Sequence, residues 1–552
     1  MSHKLPILLL SAALTFAASG RTSAQTAAEE IGVTQISTTL QQTQPTSPQI
    51  KIPAVITQAV QATNAAADAL NAVPSGPALP PVVPPTPAYQ AGLGTAQQSL
   101  QAGNYRQAQK QYEALVAQNY QNPQAHFGLG LSLFAQSDLN GAKFEFSQLA
   151  ALDPTGFEGP YNLGVIASRQ GQSAEALTQF GKAAGLARGK VTVAVMRQVL
   201  EALAGEQTRK QDYAGLVTTL SEMSRAEPAD LGLQVREAQA LVLSGQGTVA
   251  LPVLYAVRQT EPGNVDAALL TADIYIDQKL QSRAIRELDL ATAAATDGTA
   301  KGRLLLHKAE LLAAASPSKE ALQAAVAATQ ADSRSAAAFA KLGELRFARS
   351  DRSGALSAWQ TAVKLEPKNG LYRANLAVVR LSLGQLSEAA QDARSASNLS
   401  SDNATVARAQ FVLGVASYRQ KAYAQARSVL ASSVLKAPSA EAYLWLGLTS
   451  YALKDYAGAV DALTQSNTLQ PNAATRVNLG SALLAAARYS EAETVLRAVV
   501  VADASNAAAW YQLGLARRAL GREAEAQTSF RTAANLGDAR ARSALKVKAG
   551  AP

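Results

Sequence analysis

An all-α solenoid of about thirteen helix–turn–helix repeats, closed by a C-terminal cap helix, is the fold this chain predicts. Three observations predict it. Landmark residues return at an interval near 34 over about four-fifths of the 552 residues, and self-similarity of that length marks a repeat architecture. The landmarks keep one order: a small residue, a chain breaker, a second small residue, an apolar anchor. Hydrophobic residues make up 48% of the chain and aromatic ones only 5%; much of the rest is alanine, which favours helix and close helix–helix approach. There are no cysteines, so stability must come from apolar burial, and thiolate metal sites and thiol nucleophiles are excluded.

In chain order, residues 1–24 read as a secretory signal peptide. Lys4 supplies a positive start, Leu5 to Ala18 an apolar core, and Thr22-Ser23-Ala24 small residues before a cut at Gln25. The stretch is short for a membrane span; an uncleaved anchor is the alternative. No second long apolar run follows, so no membrane span is expected after cleavage. Removing 1–24 takes away Lys4 and Arg21 and lowers the formal charge from +9 to +7. That modest excess has no block of like charges and does not predict a nucleic-acid partner. Residues 25–88 read as a linker: a Thr/Gln/Ser/Ala-rich stretch with little to bury, one possible helix at 54–73, then seven prolines within 74–87. The proline run favours polyproline II, as a semi-stiff spacer or, alternatively, as a ligand for a proline-binding groove.

From residue 89 to 538 the units align on position 20, held by Ala108, Ala142, Ala176, Leu216, Ala250, Ala284, Ala321, Ala355, Ala389, Ala426, Ala459, Ala492 and Ala526. Glycine holds position 8 at 130, 164, 343, 414, 447, 480 and 514, where a small residue lets the two helices of a unit approach. Position 24 carries a large apolar residue such as Tyr112, Phe146, Phe180, Trp359, Leu430 or Phe530, expected to fill the gap between neighbouring hairpins. A breaker or polar turn falls near 15 to 17. Pro154, Pro228, Pro262, Pro367, Pro438 and Pro471 end second helices at position 32.

Departures from the pattern predict local irregularity at 188–200, 295–302 and 400–407, with a seam between two sub-arrays near the middle. Pro252, at position 22, is expected to shorten or kink its helix. Ala393 at position 24 predicts a thin core there. Residues 539–552 read as a cap helix and tail, with Ala541, Ala544, Leu545 and Val547 on one side and Arg540, Arg542, Lys546 and Lys548 mostly on others.

These landmarks resemble the tetratricopeptide repeat, a 34-residue helix–turn–helix unit. The resemblance implies a right-handed superhelix whose inner groove is lined by first-helix residues at positions 2, 5, 9, 12 and 13. Carried over unit by unit, it implies three zones. Phe127, Leu131, Phe134, Tyr161 and Arg169 lie near the start. Asp266, Asp273, Asp277, Glu310 and the oppositely charged Arg303 lie in the middle. Arg408, Phe411, Tyr418, Arg419, Leu444, Leu448, Tyr451, Tyr511 and Arg518 lie toward the end. Aromatics beside arginines are the composition of binding hot spots; packing between helices is the alternative for each.

The carboxylate clamp of the chaperone-binding members needs a Lys–Asn pair. Asn162, Asn375 and Asn478 stand at position 6, but the preceding units supply no such pair. Three histidines occur: His3 leaves with the signal, His126 reads as a satisfied core residue, and His307 reads as lacking an acidic partner at helical spacing. No metal, nucleophile-elbow or phosphate-loop motif is present, and no cofactor is expected. The function expected is a non-enzymatic protein–protein scaffold, exported to the periplasm or cell envelope of a bacterium and holding extended polypeptide in its groove. The alternative is a cell-wall or carbohydrate-binding protein.

Overall fold

The computed structural model of the chain describes residues 86–546, which are helix and turn throughout. The signal segment, the linker through residue 85 with its expected helix at 54–73, and Val547 and Lys548 of the cap lie outside them. The described residues fall into two compact units that divide between Ala294 and Ala295.

The N-terminal array holds six hairpins. They are α1–α2 (Pro87–Gln101, Tyr105–Gln118), α3–α4 (Pro123–Ala135, Leu139–Leu152), α5–α6 (Glu158–Arg169, Ser173–Ala187), α7–α8 (Val193–Arg209, Tyr213–Ala226), α9–α10 (Leu231–Leu243, Gly247–Thr260) and α11–α12 (Val265–Asp277, Gln281–Ala294). The C-terminal array holds seven. They are α13–α14 (Gly298–Ala315, Lys319–Ala331), α15–α16 (Ala336–Ala348, Arg352–Leu365), α17–α18 (Gly370–Ser382, Leu386–Leu399), α19–α20 (Asn403–Arg419, Tyr423–Lys436), α21–α22 (Ala440–Ala452, Tyr456–Leu469), α23–α24 (Ala473–Ala485, Tyr489–Ala502) and α25–α26 (Ala507–Ala519, Glu523–Asn535). The short α27 (Ala539–Lys546) follows. Within each array, the second helix of a hairpin packs against its own first helix and against the first helix of the next. Thirteen repeats in sequence order are therefore present, as the period predicts.

In the hairpins with glycine at position 8 there is no room for a side chain as the residue at 24 is seated. A Cβ on Gly130 would lie 2.7 Å from the Phe146 ring, and one on Gly514 would lie 2.5 Å from Phe530. With leucine at position 24 the space is as tight: a Cβ on Gly447 would lie 2.6 Å from Leu463, and one on Gly480 2.6 Å from Leu496. The residue at 24 thus seats first on the glycine of its own hairpin, not only in the gap to the next one. Some also reach onward: Trp359 meets Tyr372 of the next hairpin at a centroid distance of 5.9 Å.

Position 15 is left-handed in every hairpin but α13–α14. Glycine fills it at 103, 171, 245, 384 and 521, whereas Ser137, Gln211, Lys279, Ser350, Lys421, Lys454 and Ala487 adopt positive φ with a Cβ present. The next N–H bonds back to the first helix, as from Asp138 to the Leu133 carbonyl at 3.0 Å, which is the closure of a Schellman turn. Asp138, Asp212, Asp351 and Asp455 then cap the second helices by accepting from the N–H of Gly141, Gly215, Gly354 and Gly458.

The three stretches expected to be irregular each combine a short non-helical link, at 188–192, 295–297 and 400–402, with a lengthened helix. The extra residues lengthen the first helix by about a turn: α7 has 17 residues, α13 has 18 and α19 has 17, against 13 in α9, α15 or α21. Each added turn has its own cap, from Thr192, Asp297 and Asp402. Pro252 does not shorten α10, which keeps the 14 residues of α8 or α12. The missing N–H is accommodated close to the helix start, where the first bond is the tight one from Val249 to the Gln246 carbonyl. Around Ala393 the core is thin: alanines 374, 389, 390, 393, 396 and 409 are all buried. Asp392 is buried with them, bonded by Arg380 at 2.6 Å, and burial raises its pKa more than Arg380 and Arg373 lower it.

Candidate binding face

The residues expected to form a recognition surface divide into core fillers and residues still within reach of solvent. Near the start, Phe127, Leu131, Phe134 and Tyr161 are buried. Phe127 packs on Phe146 at 6.3 Å and Tyr161 on Phe180 at 5.7 Å, so these rings serve their own hairpins and offer no free face. Arg169 is exposed, but its guanidinium lies 4.2 Å over the Phe134 ring. The start zone is closed packing with an arginine lid.

In the middle, Asp266, Asp273 and Asp277 run along α11. Burial and the neighbouring Asp273 raise the pKa of Asp277. Arg303 and Glu310 stand on α13, in the other array. His307 does have an acidic partner, contrary to the sequence reading: Glu310, three residues on, places Oε2 3.8 Å from its Nδ1. The spacing i, i+3 is that of helix-surface neighbours and should have been counted.

Toward the end, the α19 and α21 helices carry the open part. Arg408 donates from Nη1 to Asn375 Oδ1 at 2.8 Å, and burial lowers its pKa against the pull of Glu344 and Asp402. Phe411, Leu444 and Tyr451 are half-buried, and Arg419 is exposed. Tyr418 and Leu448 are buried; the Tyr418 ring is held edge-on by Tyr423 and Trp445, each at 5.3 Å. Tyr451 leans on Tyr456 at 5.4 Å.

The last two candidates work on the cap. Arg540 of α27 lies 4.5 Å over the Tyr511 ring. Arg518 lies 4.6 Å over Phe530 and donates to the Ala544 carbonyl at 3.2 Å. Ala541 is fully buried beneath, while Ala544 and Leu545 pack against the same cluster.

One residue escaped the sequence reading. Glu441, at position 2 of α21, has its pKa raised to about 7 by burial. A glutamate at the first turn of a helix normally signals a capping preference, so nothing in the sequence marked it. His126 is as expected: fully buried, it donates from Nε2 to the Tyr120 carbonyl at 2.7 Å, and its Nδ1 is hydrogen-bonded with Glu145 Oε2 at 2.6 Å. Among the described residues no group of three or more His, Cys, Asp or Glu side chains is placed to hold a metal ion. No described helix is long and apolar enough to cross a membrane.

The tetratricopeptide repeat family model matches residues 93–156, 341–404, 423–474 and 477–544, in agreement with the hairpin pattern. No curated protein matches the chain as a relative. Among solved structures, the chain is similar to YrrB, described as a TPR protein with an unusual peptide-binding site: 20% identity, TM-score 0.33, 35% of this chain and all 100% of that one. It is also similar to a chain of Naa15/Naa10 bound to HypK-THB, at 14% identity and TM-score 0.40 over 83% of this chain and 77% of that one. A third is the APC/C hetero-tetramer Cut9-Hcn1, at 14% identity and TM-score 0.34, over 83% of this chain and 96% of that one. The matched residues carry the helix–turn–helix repeat of that model, and the hairpins outside them follow the same pattern.

Proposed function

We propose that the chain is a non-enzymatic scaffold that holds an extended polypeptide segment along the first helices of α19–α20 and α21–α22. The observation that carries this is the half-buried row of Phe411, Leu444 and Tyr451, flanked by Arg408 and Arg419, on consecutive first helices of one compact unit. Aromatic and aliphatic side chains that keep part of their surface in solvent lose it to a partner at little ordering cost, and arginine at the rim adds directional contacts. The apolar, positively flanked leader at 1–24 supports export, and the work of such a scaffold would then lie in the periplasm or cell envelope of a bacterium. Envelope proteins are its proposed partners.

The test is direct binding to the purified chain of an unfolded polypeptide rich in Phe and Leu, compared with purified wall polysaccharide. Binding of the polypeptide that Phe411→Ala with Tyr451→Ala abolishes, at unchanged helicity, is the expected result. Binding of the polysaccharide alone would replace this reading with a carbohydrate one. Fusion of residues 1–30 to a reporter that is active only outside the cytoplasm tests the location; an inactive reporter would sink it.

A further inference from the structure

The second helices of the C-terminal array end differently from those of the N-terminal one. Five in succession, α18, α20, α22, α24 and α26, each leave one large aliphatic side chain in solvent near the last turn: Leu399, Leu435, Leu469, Val501 and Leu536. Leu435 is 85% exposed and Val501 80%. These hairpins stack in sequence order inside one compact unit, so side chains at positions 29 and 30 form a row.

Charge follows the same division. Over positions 24 to 30, the second helices of the N-terminal array carry Glu113, Glu222 and Asp289 beside Lys182, Arg225 and Arg258. Over the same positions those of the C-terminal array carry Lys364, Arg394, Lys436, Arg497 and Arg531 and no acid. All five are exposed. Apart from the 3.5 Å approach of Lys436 to Asn403 Oδ1, none of them is hydrogen-bonded or ion-paired among the described residues. The acids that follow, Asp332, Glu366, Asp503 and Asp538, stand in the links, where each accepts a hydrogen bond from within two or three residues. Exposed acids of the row's own helices, such as Glu388, Asp461, Glu491 and Glu525, stand two turns or more before it. Several hydroxyls on these helices are already satisfied: Thr464, Thr468, Thr494 and Thr528 donate to carbonyls four residues back.

Aliphatic tips beside cations, with no acid among them, fit an anionic apolar surface. Leucine, valine, serine and threonine are under-represented at the energetic centres of protein interfaces, where tryptophan, tyrosine and arginine dominate. Every exposed large apolar side chain of the C-terminal array is leucine or valine. A bilayer needs no aromatic anchor: it takes aliphatic tips into the acyl boundary and holds cations at its anionic headgroups.

We propose that this face of the C-terminal array docks on an anionic lipid surface, its aliphatic row at the acyl boundary and Arg394, Lys436, Arg497 and Arg531 at the headgroup phosphates. The proposal does not depend on the polypeptide-holding reading, because it uses second helices where that reading uses first helices.

The experiment floats the full chain with phosphatidylcholine vesicles, with and without phosphatidylglycerol, at low and high salt. Binding to the phosphatidylglycerol vesicles that weakens as salt rises is expected, with little binding to phosphatidylcholine alone. Leu435→Ser with Val501→Ser should lower the partition about tenfold through lost apolar insertion. Arg394→Gln, Arg497→Gln and Arg531→Gln together should lower it about a hundredfold, at about fivefold per cation. All these positions are exposed, so helicity and melting temperature should stay those of the parent. The matched triple Lys143→Gln, Lys182→Gln and Lys210→Gln removes the same charge from exposed positions of the N-terminal array and should leave the partition within about twofold of the parent. The leader at 1–24 is present throughout, so binding that it alone supports survives every change. Survival of binding in both C-terminal variants, an equal loss from the N-terminal triple, or equal binding to both lipids overturns the inference. So does failure to float at all, whether or not a soluble acidic, leucine-rich peptide binds instead.

Discussion

At position 5 the two arrays part company. In the N-terminal array Phe127 and Tyr161 are buried under the phenylalanine at position 24 of their own hairpin, whereas in the C-terminal array Phe411 and Leu444 remain half-buried above Leu430 and Leu463. Both arrays use the same scaffold glycine at position 8. What differs at these hairpins is the bulk at 24, phenylalanine in the first pair and leucine in the second. Ion pairs that span a repeat occur in both arrays: Arg188 to Glu222, Arg236 to Glu201 and Arg258 to Glu287 in the N-terminal one, Arg427 to Asp455 and Arg517 to Glu493 in the C-terminal one. The C-terminal array has alanine and leucine cores beside them. It also leaves Leu399, Leu435, Leu469, Val501 and Leu536 exposed near the ends of its second helices. One repeat grammar therefore yields a start that is closed and a region further on that keeps apolar surface available.

The comparison can be broken most forcefully at Phe146. Phe146→Ala removes a fully buried ring and should cost about 4 kcal/mol. Because each repeat touches only its neighbours, amide exchange should accelerate in α3 to α6 and hardly change in the C-terminal array. Uniform acceleration throughout the chain would contradict two separately packed units.

Glu441→Gln sharpens the comparison at the open site. With the folded pKa raised to about 7 and the unfolded one near the ordinary glutamate value, the native state holds the proton longer. Stability is then greatest below the unfolded pKa, falls as pH rises through the window between the two values, and levels off above 7. The variant should lack this slope and exceed the parent by about 1 kcal/mol at pH 8, after discounting for partial solvent exposure. Chemical denaturation at pH 5 and pH 8 reads it; parallel pH profiles for both proteins would refute the assignment.

The turns offer a smaller test common to both arrays. Ala487 holds φ 58° with a Cβ, so Ala487→Gly should stabilise by about 0.5–1 kcal/mol, and Gly171→Ala, at φ 73°, should destabilise by a similar amount. Equal signs for the two changes would mean that position 15 is not the strained point of the hairpin. Smallest of all is Arg188→Gln. The pair with Glu222 is half-exposed on the arginine side, and its loss should cost about 0.5 kcal/mol or less in a melt, vanishing at high salt.

How far residues could be read without coordinates varied with how local their environment is. His126 was legible because position 4 faces inward in any such hairpin, although its exact partners, Glu145 and the Tyr120 carbonyl, come from a neighbouring helix and a linker. The extra residues before α7, α13 and α19 read as local irregularity; the structure has a non-helical link at each place and a lengthened helix after it. A Thr or Asp cap at each new start was the available signal that they extend a helix. The shortening expected at Pro252 is absent because the penalty for proline depends on its distance from the helix start, and α10 begins close enough to absorb it. Of the candidate binding residues, Phe127, Phe134, Tyr161 and Tyr418 are buried in packing, and Tyr511 and Arg518 contact the cap.

The amino-acid sequence by itself determined the helical hairpin, its interval, the glycine-on-ring seat and the left-handed turn, because each depends on sterics within one unit of about 34 residues. Only the tertiary structure decided which rings stay within reach of solvent and where the chain divides into two units. Exposure is set by the size and charge of side chains delivered from other helices, and a repeating pattern carries no record of that.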